Sequence, residues 1–129
     1  MKGFVLLLAL CAAAPGYAAP QQDVLAALTA EAGGAASPTR GEKLFRGKFS
    51  VGKSVQSCTA CHGDDPKVPG QHIKTHKSID PIAPVAQHDR FADAAKVEKW
   101  FKRNCPEVLG RACNTQEKAD FAAYMISVK

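Results

Sequence analysis

Two cysteines and a histidine stand close together near the middle of the chain, in the sequence Cys58, Thr59, Ala60, Cys61, His62. One turn of helix would place both thiols and the imidazole on the same side of the backbone. Two thiols at this spacing can add to the two vinyl groups of a porphyrin, and the imidazole that follows them can bind its iron. The motif therefore predicts one covalently attached haem c, with His62 as an axial iron ligand.

Two other kinds of site also use paired cysteines. A thioredoxin-like redox pair requires a preceding strand and a parallel sheet, and the sequence has no alternating run of strand length. A zinc site could combine the motif with Cys105 and Cys113, but this second pair is eight positions apart, and zinc knuckles prefer a shorter spacing. Covalent haem is therefore the favoured interpretation.

The first 18 residues are typical of an export signal. Lys2 gives a positive start, an apolar run covers residues 4–14, and small residues end the segment at Ala18. The run is too short to span a bilayer, so we expect cleavage after Ala18, a periplasmic protein and no membrane span after cleavage. Cys11 could instead carry a lipid, but Leu10 is bulky at a position where lipidation favours a small residue.

Length and charge narrow the class of protein further. The 129 residues suffice for one compact domain, which we place at residues 37–129, after an N-terminal helix and flexible joint over residues 19–36. Loss of Lys2 leaves 16 Lys and Arg against 12 Asp and Glu, a formal net charge of +4. This charge is too mild to predict nucleic-acid binding. It fits either an acidic protein partner or a solvated basic surface.

Short helices and long loops surround the motif. Ser37 can cap a helix that starts at Pro38 and continues to about Phe45. Residues 63–90 carry four prolines and no long apolar periodicity, which indicates a loop. Loops of this length order much backbone while burying few side chains, so another group has to supply part of the core. The large apolar face of a haem would do so.

Two further helices are predicted in the C-terminal third. The clearer one covers residues 93–104, where Asp93 can cap it and Pro106 is expected to stop it. The last helix starts near Thr115 and buries apolar residues on one face. The predicted fold class is therefore all-α, with three to five short helices and long loops around one haem.

The clearer helix has an apolar stripe formed by Val97, Trp100, Phe101 and Asn104. Trp100 and Phe101 could keep a haem pocket dry, or they could pack in an ordinary core. Asn104 could bind iron, but an asparagine that ends a helix is the more common case, and spacing alone favours it.

Other side chains could also complete the iron coordination, since electron-transfer cytochromes usually have methionine or histidine as the second ligand. Met125 is the only methionine that remains after signal removal, and its position on the last helix favours core packing. Three histidines of the proline-bearing loop are expected to be solvated: His72, His76 and His88. With the motif cysteines bound to haem, Cys105 and Cys113 remain, and in an oxidising compartment we expect them to pair.

Several stretches of sequence carry a family resemblance, and the last is the most specific: residues 41–45, 58–63, 81–84, 89–91 and 97–105, followed by Gly110, Arg111 and Cys113. Over residues 41–125 the chain resembles the SHP family (sphaeroides haem protein), a variant of the class I cytochrome c fold. In that family an asparagine binds ferric iron and leaves it on reduction, so the resemblance implies that Asn104 is the distal ligand. It also implies the Cys105–Cys113 disulfide.

The resemblance further implies a function. Members of the family bind oxygen and nitric oxide in the ferrous form and take electrons from a dihaem cytochrome c, often alongside a membrane cytochrome b. We therefore expect a periplasmic cytochrome that accepts an electron and then binds a diatomic gas ligand: oxygen, nitric oxide or carbon monoxide.

Two alternative functions remain open. The first is a plain electron shuttle, with iron closed in both oxidation states by Met125 or a loop histidine. The second is an enzyme that converts nitric oxide and oxygen to nitrate or reduces peroxide, although no acid–base pair or distal histidine can be placed from the sequence. Four basic residues beside Asn104 could form a docking rim for an acidic donor, or a solvated helix face: Lys96, Lys99, Lys102 and Arg103.

Overall fold

The computed structural model describes residues 19–51 and 55–129. These residues contain five helices and one pair of two-residue strands, joined by loops. The elements are α1 Pro20–Ala32, α2 Pro38–Arg46, α3 Thr59–His62, β1 Gly70–Gln71, β2 Ser78–Ile79, α4 Ala94–Leu109 and α5 Thr115–Ser127. The strands pair antiparallel, with Gly70 opposite Ile79. The predicted all-α class is confirmed. The predicted signal at residues 1–18, including Cys11, lies outside the described residues, and no helix within them is long and apolar enough to cross a membrane.

Helix α5 is the centre of the helical packing, since both α1 and α2 lie against it. Helix α1 contributes Val24 and Leu28 to the core that α5 shares. Helix α2 approaches α5 at Gly41, where a Cβ atom would overlap the backbone carbonyl of Asp120 and lie 2.8 Å from Cβ of Tyr124. The absence of a side chain at Gly41 therefore permits the close approach of these two helices.

The predicted helix starts are found in the structure. The Ser37 hydroxyl accepts a hydrogen bond from the N–H of Arg40, and the Asp93 carboxylate accepts one from the N–H of Lys96. Helix α5 begins with a capping box, which the sequence reasoning did not identify. The Asn114 side chain accepts from the N–H of Glu117, and the Glu117 side chain accepts from the N–H of Asn114.

Helix α4 is longer than the sequence predicts. The expectation that Pro106 stops a helix over residues 93–104 is wrong, since α4 continues to Leu109 and ends at Gly110, whose φ is 69°. Proline lacks the N–H that would bond to the carbonyl four residues earlier. The last turn forms nevertheless because Val108 and Leu109 are both buried in the core.

Candidate haem site

A cavity of about 820 Å³ is lined mainly by α3, α4 and the segment between them, with further residues from α2, from α5 and from the segments before α3 and after α4. Cys58, Cys61 and His62 all line it, so the three chemically competent side chains of the motif share one space. Its apolar lining includes buried side chains from four parts of the chain: Val55, Ile82, Phe91, Val97, Phe101 and Phe121. The volume is typical of a pocket that holds a cofactor.

The motif forms a single tight turn. Cys58 is the N-cap of α3, and its carbonyl accepts a hydrogen bond from the N–H of His62 at 3.0 Å. The Ser57 hydroxyl, on a residue only 7% exposed, accepts from the N–H of Ala60 at 3.1 Å and lies 2.9 Å from the Thr59 hydroxyl. The sequence reasoning missed Ser57, although a serine within the last few positions before a helix can accept from one of its first free N–H groups.

Two glycines shape the backbone after the motif. Gly63 ends α3 with a φ of 70°, a conformation that other residues rarely adopt. Gly70, in β1, packs directly on the motif, because a Cβ atom there would overlap the carbonyl of Cys61 and lie 2.9 Å from Cα of His62. The backbone of β1 therefore supports the turn that carries the imidazole, a contact that the sequence reasoning also missed.

Burial sets the protonation of the motif. It lowers the pKa of His62 to about 4, with a further contribution from the positive charge of Arg90. Burial likewise raises the pKa of the Cys58 thiol to about 11. At neutral pH the imidazole is therefore neutral, with a lone pair available for a metal. The Cys58 thiol is protonated, unlike the thiolate of a zinc or redox-active site.

The structure does not support the two alternative sites. In the described part of the chain, no group of three or more His, Cys, Asp or Glu side chains could hold a metal ion. Cys105 and Cys113 form a disulfide with a Cα–Cα distance of 5.5 Å, so they are not zinc ligands. A thioredoxin-like site lacks its sheet, because the strands among the described residues are the two short antiparallel ones after the motif.

Helix α4 presents its stripe to the cavity, and all four predicted stripe residues line it: Val97, Trp100, Phe101 and Asn104. Phe101 is buried and packs edge-to-face on Phe121, with ring centroids 5.9 Å apart. Trp100 is half-buried, and Asn104 is exposed at the cavity wall. Asn104 lies inside the helix, five residues before its last residue, so it does not have the helix-ending role that spacing favoured.

His72 also lines the cavity, but its ring is already engaged. Its Nδ1 accepts hydrogen bonds from the backbone N–H groups of Lys74 and Thr75, both at 3.2 Å. A neutral imidazole that accepts at Nδ1 carries its hydrogen on Nε2, so this arrangement leaves no free lone pair for iron. The remaining candidate ligands do not line the cavity: His76, His88 and Met125, the last of these fully buried.

Arg90 is a cavity-lining residue to which the sequence reasoning gave no role at the site. Its guanidinium carbon lies 4.5 Å from the ring centroid of Trp100. Its Nε donates to the carbonyl of Pro81 at 2.9 Å, and its Nη2 donates to the carbonyl of Asp80 at 3.2 Å. Stacking and hydrogen bonds therefore hold this cation in one position.

The residues of the cavity fit a haem. Two thiols and a neutral imidazole come from one turn, the remaining walls are largely apolar, and the volume is adequate. These are the donor set and the surroundings that c-type haem attachment requires.

Known proteins share both the sequence and the fold. The family described as "Domain of unknown function (DUF1924)" matches residues 31–125. The cytochrome c-type protein SHP of Cereibacter sphaeroides is 44% identical over 128 residues, which are 97% of this chain and 98% of that protein.

Solved structures give the same result. Oxidized SHP, described as an oxygen-binding cytochrome c, superposes with a TM-score of 0.78 at 45% identity, covering 81% of this chain and 94% of that one. Oxidized cytochrome c'' from Methylophilus methylotrophus gives a TM-score of 0.74 at 32% identity, with coverage of 85% and 95%.

The attachment turn, the helical cavity and these likenesses together define a haem-binding cytochrome c-type fold. This agrees with the fold class that the sequence predicts. More specifically, the chain belongs to the SHP family of cytochromes c.

Proposed function

We propose that the protein is a periplasmic cytochrome with one covalent haem c that accepts one electron and then binds a diatomic gas. Cys58 and Cys61 hold the haem through thioether bonds, and His62 binds its iron in both oxidation states. Asn104 would be the second protein ligand of the ferric iron and would leave it on reduction. The haem supplies a one-electron couple and an iron that can take a further ligand.

The observation that carries this proposal is the placement of Asn104. Its side chain lines the same cavity as His62, and its amide makes no hydrogen bond within the described residues. His72 lines the cavity as well, but hydrogen bonding occupies its Nδ1. Asn104 is therefore the candidate second ligand that is both at the cavity and free to bind.

Ligand chemistry explains why reduction would release Asn104. A neutral amide oxygen is a hard, weak ligand that suits ferric iron better than the softer ferrous ion. Because the amide is neutral, Asn104 would leave the iron without gaining or losing a proton, and the electron would come from a redox donor such as a dihaem cytochrome c. The open position would then accept oxygen, nitric oxide or carbon monoxide. The description of SHP as an oxygen-binding cytochrome c supports the gas-binding part of the proposal.

Absorption spectra of the purified holoprotein test the proposal. We expect a six-coordinate ferric spectrum, a high-spin, five-coordinate ferrous spectrum, and rapid binding of carbon monoxide to the reduced protein. A low-spin, six-coordinate ferrous spectrum that carbon monoxide does not change would contradict it. That result would instead support a plain electron shuttle.

Replacement of the distal residue gives a sharper test. Asn104→Ala should change the ferric spectrum through loss of the sixth ligand and leave carbon monoxide binding by the ferrous protein intact. His72→Ala is the matched control, because His72 lines the same cavity but is engaged in its own turn, and it should keep the wild-type ferric spectrum. An unchanged ferric spectrum in Asn104→Ala would refute the assignment.

A further inference from the structure

Arg90 places a fixed positive charge at the wall of the haem cavity. The guanidinium is half-buried, stacked on Trp100, and bonded to the carbonyls of Asp80 and Pro81. These contacts use the Nε hydrogen and one hydrogen of Nη2. A guanidinium has five N–H donors, so three remain for another acceptor.

No carboxylate of the described residues lies within ion-pair distance of this guanidinium. A half-buried charge is costly unless an opposite charge accompanies it. The acidic side chain that lines the cavity, Glu107, forms an ion pair with Lys74 instead. The cavity therefore holds a fixed cation with which no carboxylate of the described residues is paired.

The other cations at the cavity differ from Arg90. Lys77 and Arg103 also line it, but both are exposed, and within the described residues neither charged group makes a hydrogen bond or an ion pair. Solvent screens exposed charges strongly, whereas a half-buried and anchored charge keeps more of its effect.

We propose that Arg90 is the counter-ion of a haem propionate and thereby raises the reduction potential of the iron. A propionate is a carboxylate carried on the edge of the porphyrin, and the planar guanidinium is matched to carboxylates, with which it forms paired hydrogen bonds. The proposal rests on the proposed function only in requiring a haem in this cavity, and it is independent of the behaviour of Asn104.

The electrostatic consequence has a definite sign. Reduction adds one electron to ferric iron, supplied by the redox donor, and removes one positive charge from the haem. An unpaired propionate stabilises the ferric state, and a guanidinium that neutralises the propionate removes part of this preference. Arg90 therefore makes the iron easier to reduce, while its stacking on Trp100 links the propionate to the helix that carries Asn104.

Equilibrium redox titration of the holoprotein tests this role. Arg90→Gln should lower the midpoint potential, whereas the control Arg103→Gln removes an exposed cavity charge and should shift it much less. Resonance Raman spectra of Arg90→Gln should also show a displaced propionate bending mode. Equal shifts in the two variants, or an unchanged potential in Arg90→Gln, would overturn the proposal.

Arg90→Lys provides a second test if Arg90→Gln does not form a folded holoprotein. It keeps the positive charge and loses the planar fork, so its potential should lie near that of the wild type. A large drop in this charge-conserving variant would show that packing, and not charge, is the role of Arg90. These potentials can be measured whether or not Asn104 leaves the iron, so failure here is distinguishable from failure of the proposed function.

Discussion

The haem-attachment turn depends on residues that perform no chemistry. Ser57 caps the turn, and the backbone of Gly70 packs directly against the carbonyl of Cys61 and Cα of His62. A closely packed backbone transmits any local enlargement to its neighbours, because protein interiors have little free space. The direction of the His62 imidazole is therefore sensitive to positions outside the motif.

A substitution at Gly70 tests this dependence. Gly70→Ala places a Cβ atom where the Cys61 carbonyl already lies, so the turn has to shift. We expect a lower yield of holoprotein and a destabilisation of about 1–3 kcal/mol, measured by urea unfolding. The control Gly34→Ala meets only the side-chain end of Gln116, at 3.0 Å, and should have little effect. Equal yield and stability in the two variants would contradict the supporting role.

The sequence predicts residues whose chemistry is local and misses residues whose role comes from contacts through space. Residue type and spacing alone predict the role of Cys58, Cys61 and His62. They do not predict the roles of Gly70 and Arg90, because only folding brings Gly70 against the motif backbone and Arg90 to the cavity wall. Residue type alone cannot distinguish them from ordinary loop residues.

At the scale of elements, α4 combines a proline, a disulfide and the proposed distal ligand within its last two turns. The sequence predicted the start of this helix correctly because a cap is a local interaction. It placed the end wrongly because burial of Val108 and Leu109 compensates for the hydrogen bond that Pro106 cannot make. A local sequence signal cannot predict a helix end that tertiary packing determines.

The Cys105–Cys113 disulfide should stabilise this end of α4. It joins cysteines with a sequence separation of 8, for which restriction of the unfolded chain contributes about 2–3 kcal/mol. The double variant Cys105→Ala/Cys113→Ala should lose about this amount in urea unfolding of the holoprotein. Adding a reductant should lower the stability of the wild type and leave the variant unchanged. Equal stability of oxidised wild type and variant would count against the estimate.

The interface between α2 and α5 contains a charged hydrogen-bond network as well as tight packing. The Asp120 carboxylate, on a residue 4% exposed, accepts hydrogen bonds from the Ser37 N–H, the Arg40 guanidinium and the Gln116 amide. Burial by itself raises the pKa of Asp120, but the hydrogen bonds outweigh it, led by those from Arg40, and the net pKa lies below the usual value.

This lowered pKa gives the stability a definite pH dependence. The unfolded chain binds a proton at Asp120 more readily than the native protein does, so the contribution is complete above about pH 4 and falls as pH decreases through the native pKa. Asp120→Asn should cost about 1–3 kcal/mol at pH 7 and flatten the acid side of the stability profile.

The control Glu117→Gln removes another carboxylate with a lowered pKa, but the Glu117 side chain is 22% exposed against 6% for Asp120, so the loss should be smaller. Urea unfolding at several pH values, followed by far-UV circular dichroism, measures both effects. Profiles that stay parallel to that of the wild type in both variants would refute this account.

At the scale of the whole molecule, the long connection between α3 and α4 is ordered around the cavity. In the described residues it contains two strands of two residues each, so regular secondary structure contributes little to its order. The sequence anticipated that a haem has to supply part of the core, because four prolines and few apolar residues cannot. The shape of the loop was not predictable, since it depends on the surface that the loop covers.

The distribution of charge over the molecule predicts where a redox donor would dock. Lys99 and Lys102 are exposed on α4 beside Asn104, on a chain with a net positive charge. Charge reversal in Lys99→Glu/Lys102→Glu should slow reduction by an acidic dihaem cytochrome c about tenfold at low ionic strength, as stopped-flow absorbance would measure. The difference should disappear in 0.5 M salt, on the order of the concentrations at which screening removes long-range steering. The control Lys43→Glu/Lys48→Glu changes the net charge equally on exposed residues in and after α2, so equal slowing in both variants would assign the effect to net charge and exclude docking at α4.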